Sequence, residues 1–288
     1  MAKRGRKKKE EAVSEDPIQD LLSSLNKELG ETSLQLLNRA SKEVPSTSTG
    51  SLSLDHWVLG CGGVPHGRIV EIYGPEGGGK TTLCLHIIAN AQKEGHLTAF
   101  IDAEHALNPE YAADLGVDFG KLLVCQPDSG EHAFEVIEAL LGTGSVKVIV
   151  VDSVAALVPL AEQEADVGHT LPGIQARLMS MSLRRIIGKV HASGTCLIFI
   201  NQVRSKIGVR FGSPETTSGG KALKFYSSVR LDIRRIGSIK QGDLIAGNRC
   251  KIKSVKNKVG SPFRTTEVDL IFGKGINSDA ELIDYGLE

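Results

Sequence analysis

A glycine-rich run matches a phosphate-binding pattern in full. It follows the spacing G-x-x-x-x-G-K-[ST] through Gly74, Pro75, Glu76, Gly77, Gly78, Gly79, Lys80 and Thr81, with Thr82 next. Glycines let successive backbone N–H groups point at a phosphate with no Cβ in the way, and a helix N-terminus adds favourable partial charge. Lys80 is then expected to reach the β- and γ-phosphates of a nucleoside triphosphate, and the Thr81 hydroxyl is expected to face Mg²⁺.

Acidic residues end two apolar runs that are typical of buried strands. Asp152 follows the β-branched residues 148–151 and suits the metal-side carboxylate of a nucleotide hydrolase; a helix cap is the alternative role. Asp102 and Glu104 follow the run 97–101, where either carboxylate could polarise a water molecule for attack on a γ-phosphate. Spacing alone does not favour one of these two carboxylates over the other as the group that polarises the water molecule.

A basic segment stands out from an otherwise balanced chain. The whole sequence has 34 Lys and Arg against 34 Asp and Glu, whereas residues 201–264 hold 15 against 3. Such a block predicts a polyanion-binding surface, and a solvated basic face is the plainer alternative. Within it, Gln202 precedes a long stretch without periodicity, the second loop (residues 203–221). Its alternating basic and apolar residues suit a nucleic-acid strand.

These groups need a scaffold that brings strand ends together. Short apolar runs predict strands at 68–73, 97–101, 122–126, 146–151 and 196–200, and helical patterns predict helices at 81–92, 131–141 and 173–191. This alternation predicts an α/β fold: a mostly parallel twisted sheet with helices on both faces. Strand-like runs from Val229 onward predict antiparallel additions. The first loop (residues 162–172), the second loop and the phosphate loop (residues 74–82) should share one sheet edge, where Gln202 could sense a γ-phosphate.

The chain divides into a basic tail expected to be disordered (1–16), a helix and linker (17–46), a catalytic core (47–276) and a terminal remnant (277–288). No apolar run approaches the roughly 20 residues of a membrane span, and no signal peptide is recognisable, so a cytoplasmic location is expected. Five scattered cysteines without a CxxC pair predict neither a zinc site nor disulfides.

From about Thr47 to Gly286, the chain resembles bacterial RecA recombinases. The most specific stretches are 51–55, 69–76, 100–107, 148–157, 199–202 and 211–226. The resemblance implies a RecA-like core and a DNA-dependent ATPase that forms filaments on single-stranded DNA and catalyses homologous pairing and strand exchange in recombination and repair. It implies ATP and Mg²⁺ as cofactors. The implied partners are single-stranded and duplex DNA, further copies of the chain, a single-strand-binding protein and a LexA-type repressor.

The resemblance also implies individual roles. Glu104 matches the general base, which favours it over Asp102, and Gln202 matches the γ-phosphate sensor. Tyr111 matches an aromatic residue that stacks on adenine, and Asp152 matches the metal-binding acid. Lys256, Lys258 and Phe225 match residues of the interface through which the next subunit reaches ATP. The implied DNA-binding positions are Gly168, Arg177, Arg184, Arg204, Lys206, Ile207, Arg210, Phe211, Thr217, Gly219 and Gly220.

Some positions depart from the family pattern. Gly77 and Gly78 replace small hydroxyl residues, Asn108 replaces an aspartate near adenine, and residues 171–173 alter the end of the first loop. The N-terminal docking stretch differs, and the sequence stops where the family continues into a C-terminal domain, as in a viral or shortened homologue. A recombination mediator without exchange activity and a ring helicase are therefore alternatives. A small-molecule kinase is less suitable, because residues 211–223 fit no small acceptor.

Overall fold

The computed structural model describes residues 17–30, 34, 43–166, 171–205 and 215–287. The chain separates into two units at the boundary between Glu43 and Val44, and each is described by itself. In the first, helix α1 spans Pro17–Leu29. Its first residue is a proline, which is tolerated there because the first N–H groups of a helix have no intrahelical partner.

The second unit is built on one large sheet. Its parallel part comprises β3 (Ile69–Gly74), β4 (Leu97–Asp102), β5 (Leu122–Cys125), β6 (Val146–Asp152) and β7 (Cys196–Ser205), in the order β3-β7-β6-β4-β5. β9 (Val229–Gln241) pairs parallel with β3, and β10 (Leu244–Asn257), β11 (Thr265–Ile271) and β12 (Gly275–Ile276) follow as antiparallel additions. A separate small ladder joins β1 (Ser46–Thr47) to β2 (Val64–Pro65).

Helices cover both faces of this sheet. The helices of this unit are α2 (Lys80–Lys93), α3 (Pro109–Asp114), α4 (Gly130–Thr143), α5 (Leu160–Gln163), α6 (Ile174–Ser193), α7 (Ala222–Tyr226) and α8 (Ser278–Leu287), and α2 covers one face of the sheet while α4 and α6 cover the other. Successive side chains of β6 enter opposite cores: Val148 and Val150 pack with α2, while Ile149 and Val151 pack with α4 and α6. Burial on both faces explains why this strand reads as a continuous apolar run, and the predicted α/β fold is confirmed.

The ends of the second loop differ from the expectation of irregular structure. β7 continues to Ser205, five residues beyond the predicted strand, because it pairs antiparallel with β8 (Glu215–Thr217). Val203 faces Thr217 and Ser205 faces Glu215 across this ribbon, which we call the loop stem. The first two residues of the first loop are also helical, since α5 extends to Gln163. Residues 206–214 and 167–170 lie outside the described residues.

Candidate nucleotide site and its flanking edge

The carboxyl ends of β3, β4, β6 and β7 meet around one cavity of about 370 Å³. Its lining includes the predicted phosphate-binding residues from Glu76 to Thr82 together with Glu104, Asp152 and Gln202. Pockets at this edge are where parallel sheets bind ligands, because loops and helix N-termini converge there. The structure therefore brings the three predicted catalytic residues, Lys80, Glu104 and Gln202, to one pocket.

The glycines of the phosphate loop are required for two different reasons. A Cβ at Gly74 would lie 2.0 Å from the Ile233 carbonyl oxygen, and one at Gly79 would lie 2.2 Å from Leu270 Cδ1. Gly77 has open space around it but a φ of +69°, a left-handed conformation that favours glycine. At Gly78 a Cβ would be tight against the Pro75 and Ile233 carbonyls, at 3.1 and 3.2 Å. The unusual Gly77-Gly78 pair thus suits this backbone.

Lys80 opens helix α2 and is almost fully buried. Its Nζ donates hydrogen bonds to the carbonyl oxygens of Gly74 (3.2 Å) and Pro75 (2.7 Å). Burial lowers the pKa of Lys80, while the carboxylates of Asp152 and Glu104 act in the opposite direction. The ammonium group is thereby fixed inside the phosphate loop.

Asp152 and Thr81 form the acidic centre of the pocket. The Thr81 hydroxyl donates to Asp152 Oδ2 at 2.7 Å. Burial raises the pKa of Asp152 to about 6; the nearby Glu104 carboxylate adds to this rise, and the Thr81 hydrogen bond opposes it. The alternative role as a helix cap is wrong, because the 3₁₀ turn Val154–Ala156 is preceded by Ser153 and has no side-chain cap. A hydroxyl beside a buried carboxylate is a donor pair that suits a hard divalent cation.

Geometry separates Glu104 from Asp102, which spacing alone could not. Asp102 is 2 % exposed, and its carboxylate accepts from the backbone N–H groups of Ala106 and Leu107 and from Gln126 Nε2. Glu104 lines the cavity instead, where its Oε1 accepts from the Ser153 hydroxyl and from Gln202 Nε2 at 3.3 Å. Asp102 therefore holds the loop after β4, and Glu104 is available for chemistry.

Helix α3 places Tyr111 in the lining of the cavity. Asn108 caps this helix, since its Oδ1 accepts from the Tyr111 backbone N–H at 3.1 Å. The Tyr111 hydroxyl shares a hydrogen bond of 2.9 Å with the Thr82 hydroxyl. Asn108, where the family pattern has an aspartate, thus serves here to start the helix that carries the aromatic wall of the pocket.

Several residues that line the cavity were not predicted from the sequence. Ser153 follows Asp152 directly, and its hydroxyl contacts Glu104. Asn248, Ile271 and Phe272 reach the cavity because β10 pairs with β9 and β11 pairs in turn with β10. Only the position of Ser153 beside a predicted metal ligand offered a local signal; the other three arrive through long-range strand pairing.

Comparison with known proteins shows the family to which this chain belongs. The family model of the RecA N-terminal domain matches residues 16–277. This chain belongs to the RecA family. A protein named RecA from Chlorobium limicola is 53 % identical over 288 residues, covering 98 % of this chain and 82 % of its own length. One from Brucella canis is 56 % identical over 269 residues, covering 93 % and 74 %.

A solved structure supports the fold. The crystal structure of the RadB recombinase aligns with a TM-score of 0.60 over 80 % of this chain and 98 % of its own, at 21 % sequence identity. At that identity the likeness shows the architecture alone. Membership of the RecA family makes the chain a DNA-dependent ATPase that binds ATP and acts in DNA recombination and repair, which confirms the predicted function. The RecA family also indicates DNA binding and self-association.

The expected interface residues of this RecA-family chain lie apart from its own pocket. Lys256 Nζ donates to the carbonyl oxygens of Lys224 (2.7 Å) and Phe225 (3.0 Å) at the end of α7. Burial lowers the pKa of Lys256, and the neighbouring Lys258 adds to that effect. Phe225 is 70 % exposed, and Lys258, which directly follows β10, is also exposed. These residues form a basic and aromatic surface.

The described DNA-binding candidates fall into two groups. Arg177 and Arg184 are exposed on α6, two turns apart on one helix face, and Arg204 is exposed on the loop stem. Thr217, Gly219 and Gly220 are placed differently. Thr217 is 5 % exposed, and the two glycines have φ of +77° and +76°. A Cβ at Gly219 would lie 2.8 Å from Val154 Cγ1.

Gly220 shows the same close packing against α6. A Cβ there would lie 2.7 Å from Ala176 Cβ, so both glycines let the second loop return tightly onto its neighbours. This packing gives both glycines a structural role in closing the loop, and their contact with DNA stays a prediction. The remaining candidates, Gly168, Lys206, Ile207, Arg210 and Phe211, lie outside the described residues.

Two further expectations concern the whole described chain. In the ranges given above, all five cysteines are free, and Cys84, Cys196 and Cys250 are buried. None of the helices placed by the structure has the length and apolar character needed to cross a membrane.

Proposed function

We propose that this chain hydrolyses ATP at the cavity described above while assembled as a filament on single-stranded DNA, and that it catalyses homologous pairing and strand exchange. The convergence of Lys80, Asp152, Glu104 and Gln202 at one sheet edge carries the proposal. The same edge bears the loop stem, since Gln202 belongs to the strand that becomes the stem. Hydrolysis and DNA binding would therefore meet on β7.

Each residue of the pocket has a distinct proposed role. The N–H groups of the phosphate loop and the Lys80 ammonium bind the phosphates and balance their negative charge. Glu104 accepts a proton from the attacking water, and Ser153 orients the Glu104 carboxylate through its hydroxyl. Gln202, within reach of Glu104 Oε1, is placed to contact the γ-phosphate. Tyr111 supplies an aromatic surface for adenine.

Thr81 and Asp152 would hold Mg²⁺. Their hydrogen-bonded hydroxyl and carboxylate are oxygen donors of the kind this cation prefers, and the buried carboxylate gains a compensating charge. When bound, the ion would neutralise charge on the β- and γ-phosphate oxygens.

The surface formed by Lys256, Lys258 and Phe225 would complete the pocket of the next subunit. A cationic patch on one side of the chain and an anion-binding pocket elsewhere make a head-to-tail contact, which produces an open helical filament unless rotation closes a ring. Hydrolysis would then depend on assembly, because the lysines reach ATP only from a neighbouring copy.

DNA would contact Arg177 and Arg184 on α6, Arg204 on the stem, and the two loops. Exposed arginines suit the phosphate backbone of single-stranded and duplex DNA. A protein that covers single strands in the cytoplasm would compete with a single-strand-binding protein, and its filament would be the form presented to a LexA-type repressor.

Electron microscopy and strand exchange test the assembly and the reaction. With single-stranded DNA and a nonhydrolysable ATP analogue, the chain should form continuous helical filaments. With ATP and a homologous duplex, it should yield the exchanged duplex product. The Glu104→Gln variant is the matched control, because it should form filaments without rapid hydrolysis. Closed rings would indicate a helicase, and filaments without exchanged product would indicate a mediator; either result contradicts the proposal.

A further inference from the structure

We propose that Asn201 is a positioning residue that couples the Gln202 side of the nucleotide pocket to the returning strand of the second loop. Its side-chain amide would be held in one orientation by a buried pair, Glu71 and Arg230. The inference rests on the proposed function, in which Gln202 senses the γ-phosphate and the second loop binds DNA.

The Asn201 amide joins three separate parts of the chain. The residue is fully buried, and its Oδ1 accepts from the Gln202 backbone N–H at 2.9 Å. Its Nδ2 donates to Glu71 Oε1 at 3.0 Å and to the Ser218 carbonyl oxygen at 3.1 Å. Both amide hydrogens have an acceptor, so the side chain has no freedom to rotate without losing a buried hydrogen bond. The peptide of Gln202 is thereby tied to the residue that follows β8.

Glu71 lies on β3 with its carboxylate fully buried, and its Oε2 accepts from Arg230 Nε on β9. The Arg230 guanidinium also lies 4.7 Å from the centre of the Tyr73 ring. Buried ion pairs contribute little net stability relative to apolar residues of similar volume. Strands β3 and β9 are already joined by their backbone ladder. The contribution specific to this pair is an immobile acceptor, Glu71 Oε1, for the Asn201 amide.

Ser218 is the point where the loop stem meets the body of the protein. The stem pairs Val203 with Thr217 directly before it, and Gly219 packs against Val154 directly after it. Gly220 then packs against Ala176 on α6, the helix that carries Arg177. A displacement at the Ser218 carbonyl would therefore reach both the stem and the helix at the proposed DNA surface.

On the other side, Gln202 Nε2 lies 3.3 Å from Glu104 Oε1. A Gln202 side chain that turns from Glu104 towards a γ-phosphate would move the peptide held by Asn201 Oδ1. Because the same amide holds Ser218, the change at the pocket would be transmitted to the stem. Asn201 itself need contact neither ATP nor DNA.

The test compares Asn201→Ala with a matched buried amide. Gln92 is 3 % exposed and also makes three hydrogen bonds, to Thr98 Oγ1 (3.0 Å), to the Asp118 carbonyl oxygen (2.9 Å) and from the Asp118 N–H (2.7 Å). It lies near the end of α2 that is remote from Lys80. Gln92→Ala therefore removes an equivalent set of hydrogen bonds without touching the proposed route.

Two ratios are measured for each chain: the ATP hydrolysis rate with and without single-stranded DNA, and the DNA affinity with a nonhydrolysable ATP analogue and with ADP. Coupling between sites is typically about 5- to 150-fold. We expect Gln92→Ala to keep both ratios of the wild type. In Asn201→Ala, both ratios should fall to within about twofold of unity, while analogue affinity in the absence of DNA stays within about threefold.

Ratios in Asn201→Ala equal to those in Gln92→Ala would overturn the inference. A wild-type rate that DNA does not change would instead refute the proposed function, and the inference with it. Hydrogen exchange in the wild-type chain is a second measurement that does not depend on how the variant folds. Addition of the analogue should change the protection of amides in residues 215–218, and unchanged protection there would also overturn the inference.

Discussion

Replacing Gly74 with alanine should destabilise the fold more than the same change at Gly77, although both glycines belong to one motif. A Cβ at Gly74 would lie 2.0 Å from the Ile233 carbonyl oxygen. That oxygen is a backbone atom of β9, the strand paired with β3, so the contact is relieved only by moving the two strands apart. Overpacking typically costs about 1–3 kcal/mol. We expect Gly74→Ala to lower the free energy of unfolding by about 3 kcal/mol, because a backbone carbonyl cannot rotate away from the added Cβ as a side chain can.

At Gly77 the expected cost comes from the backbone conformation and not from a steric contact. No atom lies within 4 Å of the added Cβ, but the backbone has a φ of +69°. A left-handed conformation costs about 1–2 kcal/mol for a residue with a side chain. Gly77→Ala should therefore cost about 1 kcal/mol, and Gly77→Asn less, because asparagine tolerates this region better.

Urea unfolding of the wild type and the three variants measures these free energies, and they are comparable where the denaturant slope is unchanged. The expected order of stability is wild type, Gly77→Asn, Gly77→Ala and Gly74→Ala. A Gly77→Ala cost equal to that of Gly74→Ala would refute the steric reasoning. So would a Gly74→Ala variant within about 0.5 kcal/mol of the wild type, the range of ordinary surface substitutions.

Four further changes test the pocket, the interface and the DNA surface. Lys80→Ala should abolish nucleotide binding, and a titration that shows unchanged affinity would contradict its role. Asp102→Asn should lower the melting temperature while leaving single-turnover hydrolysis by the folded protein close to that of the wild type, because Asp102 secures a loop; a large loss of hydrolysis at an unchanged melting temperature would make Asp102 the general base. Lys256→Ala should reduce DNA-stimulated hydrolysis without weakening nucleotide binding to isolated subunits; sedimentation would show whether assembly is lost. Arg204→Ala should reduce the salt dependence of single-stranded DNA affinity by about 0.7 per lost phosphate contact, and an unchanged slope would exclude it from the DNA surface.

The sequence was informative where the structure is local. The phosphate loop is a short motif between a strand and a helix, and its residues meet because they are adjacent in the chain. The runs around Val148 and Ile198 read as buried strands because both their faces are covered by helices. Tyr111 came from the family resemblance, and the structure places it in the lining of the pocket.

What the sequence could not show depends on distant pairing or on side-chain direction. The loop stem joins Val203 to Thr217 across the second loop, and its polar residues lack the alternation that marks a half-buried strand. Asn248 and Phe272 reach the cavity through antiparallel strands whose register no local pattern specifies. Asp102 and Glu104 are two residues apart, and only the loop after β4 determines which carboxylate faces the cavity.

The most direct test of the central claim is steady-state ATP hydrolysis by the wild type and Glu104→Gln, each with and without single-stranded DNA. Loss of a general base typically lowers a rate by about 10²-fold or more. DNA should raise the wild-type rate, and Glu104→Gln should lower the DNA-stimulated rate by about 10²-fold while nucleotide affinity is retained. A wild-type rate that is the same with and without DNA, or a Glu104→Gln variant that hydrolyses ATP at the wild-type rate, would contradict a DNA-dependent ATPase in which Glu104 is the base.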